Sequence, residues 1–451
     1  MHRLIAVTLI IATTVVAGQS PAMRERISET IRALNGTPED YEIYAKEAFA
    51  KVLLDKETPE QRRKLFDMIR ADYGELTPGR AAREDPMRVR LTVTGAKGKK
   101  GDLILEHEVE PPHRITSLAI EASGGGVPAA TTSAPLSDGD VVQIADGLVA
   151  PLAQAGTFSG AVLVARGGVP VFRKGYGFAD RETREANTPD TRFNVGSINK
   201  QFTRAALALL ATAGKLALDD PVEKHLRDYP NPEGRKTTIR QLVTHQGGLP
   251  EWRNDPDFER RSKSEFRANR DFYRIVASKP LRFTPGTKTE YCNACFVVLG
   301  EIIERVAGMS YERYTHANVL LAAGMTSSGF FHVDKPQPRM AIGYTRTPQG
   351  LVPNVGVRGA GGNAAGGAFV TPDDLLAFEQ AMRGGRILNP QWTAWFLDNR
   401  SQVFFGGGGE GVSAALLGDG EWTVVAMANL DTPAGSSVAK ALFSKMSRSP
   451  E

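Results

Sequence analysis

The stretch Phe193-Asn194-Val195-Gly196-Ser197-Ile198-Asn199-Lys200-Gln201-Phe202-Thr203 runs into Ala205, Ala206, Leu209 and Leu210, which with Phe202 recur at helical spacing as far as Gly214. Ser197 therefore opens a buried helix, at the end where unpaired backbone N–H groups and the helix dipole favour negative charge. Lys200 lies three residues on, so its amine falls on the same face one turn away. Burial there disfavours the ammonium and leaves a neutral lysine able to take a serine proton. Taken alone, S-x-x-K is equally the pattern of an N-cap serine followed by a surface lysine.

Outward from this segment, the chain ends carry strands. Ala161-Val162-Leu163-Val164 and Val169 to Phe172 form a hairpin turning at Gly167-Gly168. A final hairpin runs through Val412 to Leu417 and Trp422 to Ala428, turning at Gly418-Asp419-Gly420. With helical segments between, the two ends are expected to meet in one antiparallel sheet with helices on its faces.

Two further segments bear on Ser197. Tyr291-Cys292-Asn293 follows the turn Thr284-Pro285-Gly286 and precedes a helix with Phe296, Leu299, Ile302, Ile303 and Val306 on its apolar face. A tyrosine and an asparagine two apart can direct a phenol and an amide into one cleft, the phenol to relay a proton and the amide to hold a substrate carbonyl. The second segment is Phe404-Phe405-Gly406-Gly407-Gly408-Gly409-Glu410-Gly411-Val412. Consecutive glycines weaken a strand and mark a place where another backbone or a ligand comes close. An N–H from this strand can pair with that of Ser197 as an oxyanion hole.

Together these segments resemble the penicillin-recognising serine hydrolase superfamily, in the branch of class C β-lactamases, D-Ala-D-Ala carboxypeptidases, D-aminopeptidases and related carboxylesterases. The likeness covers roughly residues 140 to 445. It extends to Thr238-Ile239-Arg240-Gln241-Leu242-Val243-Thr244-His245-Gln246-Gly247-Gly248-Leu249-Pro250, to Phe283 through Gly300, and to Ala365-Gly366-Gly367 through Leu375. The resemblance implies an α+β fold with a β-lactamase-like domain, an antiparallel sheet flanked by helices. It also implies that Ser197 attacks a carbonyl and becomes acylated, while Lys200 and Tyr291 share the proton transfers, either being the base. Asn293 would position the substrate, and the N–H groups of Ser197 and, by register, Gly408 would hold the oxyanion. The substrate is a small molecule or peptide, in order an ester, a small amide, a D-amino-acid peptide or a β-lactam. No metal or organic cofactor is expected.

One departure narrows this. Relatives carry Lys-Thr/Ser-Gly or His-x-Gly on the final strand, whereas the triplet here reads Phe405-Gly406-Gly407, and no Lys or His lies between Ser401 and Val412. A substrate carboxylate that relies on that cation is disfavoured, and a catalytically impaired protein that binds peptidoglycan-like ligands becomes the alternative. His245 with Asp219 or Asp220 offers a Ser-His-Asp arrangement, but Lys200 already fills the base role. His225, His316 and His332 have no ligand spacing.

The rest of the chain has little chemistry. A short positive start, His2-Arg3, the uncharged apolar run Leu4 to Val16 and small residues at Ala17-Gly18 read as an export signal over residues 1–18, with an uncleaved anchor as the runner-up. The thirteen-residue run is shorter than the about 20 residues of a membrane span. After signal removal no membrane span is expected to remain, and a periplasmic or secreted protein is expected. Residues 23–121 read as a helical-plus-antiparallel-sheet module, with three helices from Met23 to Tyr73 and then three strands. Residues 122–140 have a linker's composition, and 141–448 form the hydrolase domain. His107 and His113 take structural roles. The formal charge of +4, from 55 basic and 51 acidic residues, is small and spread out, so no nucleic-acid partner is expected. Cys292 and Cys295 are expected as two buried thiols at a helix start, a disulfide being the alternative.

Overall fold

Thr37-Pro38 and Thr58-Pro59 begin two N-terminal helices because each threonine hydroxyl accepts an orphan N–H, from Asp40 and Gln61 respectively, while proline fills a position that needs no donor. In the computed structural model, which describes residues 21–50, 53–54, 57–85, 88–107, 114–122 and 136–447, the chain divides into two units, Met1–Thr132 and Ser133–Glu451. The expected export signal, His113 and most of the expected linker lie outside the described residues.

The first unit contains α1 (Pro21–Asn35), α2 (Pro38–Ala48) and α3 (Pro59–Tyr73), then β1 (Leu76–Asp85), β2 (Arg88–Gly95), β3 (Lys100–His107) and β4 (Ile115–Ala122). The strands form an antiparallel sheet in the order β1-β2-β3-β4. Val89, Leu91, Leu103 and Leu105 bury their alternate face with Leu34, Tyr41, Phe66 and Ile69. His107 ends β3 opposite Ile115. The sheet has four strands rather than the three read from hydrophobic alternation. β1 escapes that reading because Leu-Thr-Pro-Gly-Arg-Ala-Ala-Arg-Glu-Asp has no period of two. As an edge strand it tolerates Pro78, and its register with β2 shifts twice.

In the second unit, β5 (Gly160–Arg166), β6 (Val169–Tyr176), β7 (Val403–Gly409), β8 (Val412–Gly418) and β9 (Trp422–Ala428) form a five-stranded antiparallel sheet ordered β7-β8-β9-β5-β6. The two chain ends meet where β9 pairs β5, with Val425 opposite Leu163. Both faces of this sheet are covered, which is why β5 and β9 read as near-continuous apolar runs. On one face Val162, Val424 and Ala426 pack with Val141, Ala145 and Leu442, from α4 (Asp138–Gln154) and α8 (Ala434–Met446). On the other, Leu163, Leu416 and Met427 join the core built on α5 (Asn199–Thr212), α6 (Asn293–Ala307) and α7 (Pro372–Arg383). The architecture is thus a β-lactamase-like α+β fold together with an N-terminal helical-plus-sheet unit. Among the described residues no helix is long and apolar enough to cross a membrane.

Candidate active site

Ser197 sits not in the first turn of α5 but on a 3₁₀ turn, Gly196–Ile198, that feeds it. Gly196 takes φ of 50°, the left-handed region, and its N–H donates to Asn194 Oδ1 at 2.9 Å. This tight entry lifts the serine to the helix end while Ile198, Phe202 and Ala206 stay buried. Asn199 and Thr203 then stitch α5 to the glycine-rich loop: Asn199 Nδ2 donates to the Asn363 carbonyl at 3.0 Å and Thr203 Oγ1 to that of Ala364 at 2.6 Å.

Lys200 is 4% exposed. Its Nζ donates to Ser197 Oγ at 3.1 Å, to Asn293 Oδ1 at 2.7 Å and to the Ala365 carbonyl at 2.8 Å. Desolvation pulls the amine down to about 7, Arg253 adding to the fall and Glu251 opposing it. Tyr291 OH donates to the same Ser197 Oγ at 2.5 Å. The tyrosine is 57% exposed overall, yet its hydroxyl meets that of Ser197. Desolvation there raises the phenol above its ordinary range, with Glu251 adding to the rise and the Ser197 contact and Arg253 opposing it. The amine is therefore the more readily deprotonated of the two.

Asn293 is the first residue of α6, and its Nδ2 donates to Glu251 Oε2 at 2.6 Å. The structure thus brings together Ser197, Lys200, Tyr291 and Asn293, four side chains from two distant segments. Cys292, between the last two, caps α6, its Sγ accepting from the Cys295 N–H at 3.0 Å. The expected free thiols are not found: Cys292 and Cys295 are joined in a disulfide. An N-cap side chain folds over the first helical turn, and Cys295 sits three residues on, so the Cα atoms are 5.3 Å apart, within disulfide range.

His245 forms no Ser-His-Asp arrangement. Its ring stacks on Tyr291 with centroids 4.9 Å apart, and its Nδ1 accepts the Cys292 N–H at 3.1 Å, so the ring proton is on Nε2. Burial, aided by Lys200, brings its pKa down to about 4. Asp219 pairs with Arg240, and Asp220 with Lys224 and His225.

On the strand side, a Cβ on Gly407 would collide with the Val195 carbonyl and lie 2.8 Å from Ser197 N. Only glycine lets β7 approach the serine turn this closely. A Cβ on Gly196 would lie 2.9 Å from Gly408 N, so that N–H stands next to the turn. Gly406 precedes these two on the strand. Phe405 points away from the cleft: it is 6% exposed and packs against Phe378 and Phe396 at centroid distances of 6.4 and 6.0 Å.

The cleft in front of Ser197 holds about 460 Å³ and is lined by Trp252, Arg253, Val357, Arg358, Gly408 and Glu410, among others. Two polar residues were not singled out from sequence: Arg358, which lines the cleft, and Glu251, which binds Asn293 behind it. Glu251 directly follows Gly247-Gly248-Leu249-Pro250, and a carboxylate behind that turn was the available signal. Arg358 lies in a segment without periodicity and gave none. Among the described residues no group of three or more His, Cys, Asp and Glu could hold a metal ion.

A family model described as Beta-lactamase matches residues 144–395. The putative penicillin-binding protein PbpX of Bacillus subtilis (strain 168) is 30% identical over 239 residues, which cover 51% of this chain and 56% of the relative. The match thus spans about half the length of that curated relative. A penicillin binding protein from Bacillus halodurans superposes with a TM-score of 0.61 at 28% identity, covering 66% of this chain and 99% of that one. A D-amino acid amidase from Ochrobactrum anthropi SV3 shares the fold, with a TM-score of 0.55 at 20% identity, covering 65% of this chain and 92% of that one.

Proposed function

Because this chain belongs to the β-lactamase family, we propose that it is a serine hydrolase working through an acyl-enzyme on Ser197. The observation that supports this reading most directly is the convergence of Lys200 Nζ and Tyr291 OH on Ser197 Oγ, at 3.1 and 2.5 Å. Lys200, poised near 7, takes the Ser197 proton as Oγ bonds to the scissile carbonyl carbon. The N–H groups of Ser197 and Gly408 hold the oxyanion. Tyr291 gives a proton to the leaving alcohol or amine as its bond to the carbonyl carbon breaks, and the proton on Lys200 restores the phenol. Water then attacks the acyl carbon and gives its proton to the same pair; the bond to Ser197 Oγ breaks, Oγ takes that proton back, and the acid is released. Asn293 presents its second amide N–H to the substrate.

The substrate class is an ester, a small amide, a D-amino-acid peptide or a β-lactam, in that order, because Phe405 withdraws the cation usually offered by the strand triplet. The apolar run at Leu4–Val16 supports export to the periplasm or outside the cell. A fluorophosphonate probe tests the enzyme reading. Labelling of wild type that disappears in Ser197→Ala is expected, and an unlabelled wild type or equal labelling of both would overturn it. The alternative, a protein that binds peptidoglycan-like ligands without turnover, rests on Phe405. It would be supported by fragment binding with no hydrolysis of any ester, and excluded by turnover that vanishes in Lys200→Ala.

A further inference from the structure

Gly408 lies on β7, the terminal strand of its sheet, so among the described residues no further strand covers its outer edge. In a pleated strand the N–H and C=O of one residue point to the same side. Arg358 Nη2 reaches the Gly408 carbonyl at 3.4 Å, which puts a guanidinium on the open edge along which a substrate acyl chain would lie. A substrate with an acylamino N–H beside its scissile carbonyl would seek that same carbonyl oxygen. Here a cation stands in front of it.

Arg358 is short of partners. Its side chain is only 16% exposed, and a guanidinium has five N–H donors, yet its contacts are all long. Besides Gly408, its Nε meets Glu410 Oε2 at 3.4 Å, and Arg253 Nη1 meets that same oxygen at 3.4 Å. One carboxylate is thereby shared between two guanidiniums. The other charged groups lining the cleft are Glu259 and Lys263, and the Lys263 ammonium donates to the carbonyls of Phe258, Glu259 and Arg261. The wall beside Gly408 thus retains a positive charge with unfilled donors, while the strand triplet Phe405-Gly406-Gly407 supplies none.

We propose that Arg358, supported by Arg253, forms an anion subsite on the acyl side of Ser197, and that the preferred substrates are esters or amides whose acyl group ends in a carboxylate. This rests on the serine-hydrolase reading and sharpens its substrate class. The charge that relatives place on the strand is here carried by a different element, and it selects a different part of the substrate.

Calorimetric titration of the full-length Ser197→Ala chain with monomethyl glutarate and with dimethyl glutarate tests the subsite without requiring turnover. The monoanion is expected to bind about tenfold more tightly than the neutral diester. Adding Arg358→Gln should abolish the difference, and adding Glu410→Gln, which removes the competing carboxylate, should widen it. Equal binding of the two probes, no binding of either, a difference that survives Arg358→Gln, or a narrowing in Glu410→Gln would each overturn the proposal. Failure of the underlying hydrolase reading would appear separately, as a wild type that fluorophosphonate does not label.

Discussion

Glu251 Oε2 accepts a hydrogen bond from Asn293 Nδ2 at 2.6 Å, and this fixes which end of the amide faces Lys200. With Nδ2 turned to the carboxylate, Oδ1 is left to accept from Lys200 Nζ at 2.7 Å. Glu251 Oε1 is buried with no hydrogen-bond partner among the described residues, so the carboxylate is held chiefly through that one amide. The negative charge also acts on Lys200 through space, favouring the ammonium.

Two substitutions separate these effects. Glu251→Gln keeps an acceptor for Asn293 but removes the charge, so neutral Lys200 should persist to lower pH. The acid limb of kcat/KM should then move down. Glu251→Ala removes the acceptor as well and frees the amide to rotate, which should lower kcat/KM by about 10- to 100-fold, the range for a hydrogen bond to a charged group. Full pH profiles of both variants check this, and an unmoved acid limb in Glu251→Gln would count against the charge effect.

Lys200 should govern both rate and stability as pH changes. The native chain releases its proton near 7, whereas an unfolded lysine holds it to 10.5. Activity should rise as pH passes through about 7. Between about 7 and 10.5 the unfolded chain binds the extra proton, so the free energy of unfolding rises with pH, by at most ~1.4 kcal/mol per unit. The measurement is urea unfolding of wild type and Lys200→Met at pH 7 and pH 9. The stability of wild type relative to the variant should increase at the higher pH.

Ser197 and Lys200 were legible because a helix converts a spacing of three into a shared face, and Tyr291 and Asn293 because α6 starts beside them. Gly407 was legible as a place of close approach, though not what approaches. The remaining features depend on contacts that no local pattern encodes. Arg358 reaches Gly408 across 50 residues from an aperiodic loop. Glu251 meets Asn293 across 42. β1 gains its strand structure from pairing with β2, against its own composition. The redox state of Cys292 and Cys295 turns on the N-cap geometry, which brings the two sulfurs together, and on the compartment.

His245 should act as a positioning residue for Tyr291 rather than as a proton carrier. Its pKa near 4 leaves it neutral wherever the enzyme works, so the limb near pH 7 should survive its replacement. In His245→Asn the carboxamide oxygen can still accept the Cys292 N–H, but the stacked ring is gone. A several-fold fall in kcat with the limb retained is expected from a pH–rate profile. Disappearance of the limb would assign it to the histidine instead.

Restoring a polar residue at the strand triplet should not restore the chemistry of relatives. Phe405 looks into the core, where Phe378 and Phe396 enclose it edge-on or tilted. A histidine in its place would bury an imidazole among phenyl rings and leave part of the phenylalanine volume empty. The two effects together should destabilise the fold by about 2–4 kcal/mol. Ester turnover in Phe405→His should therefore stay level or fall, in step with a lower midpoint of thermal unfolding. A rise in kcat/KM would mean that the new side chain swings into the cleft, and that the cation missing from this strand, rather than Arg358, limits which substrates the site accepts.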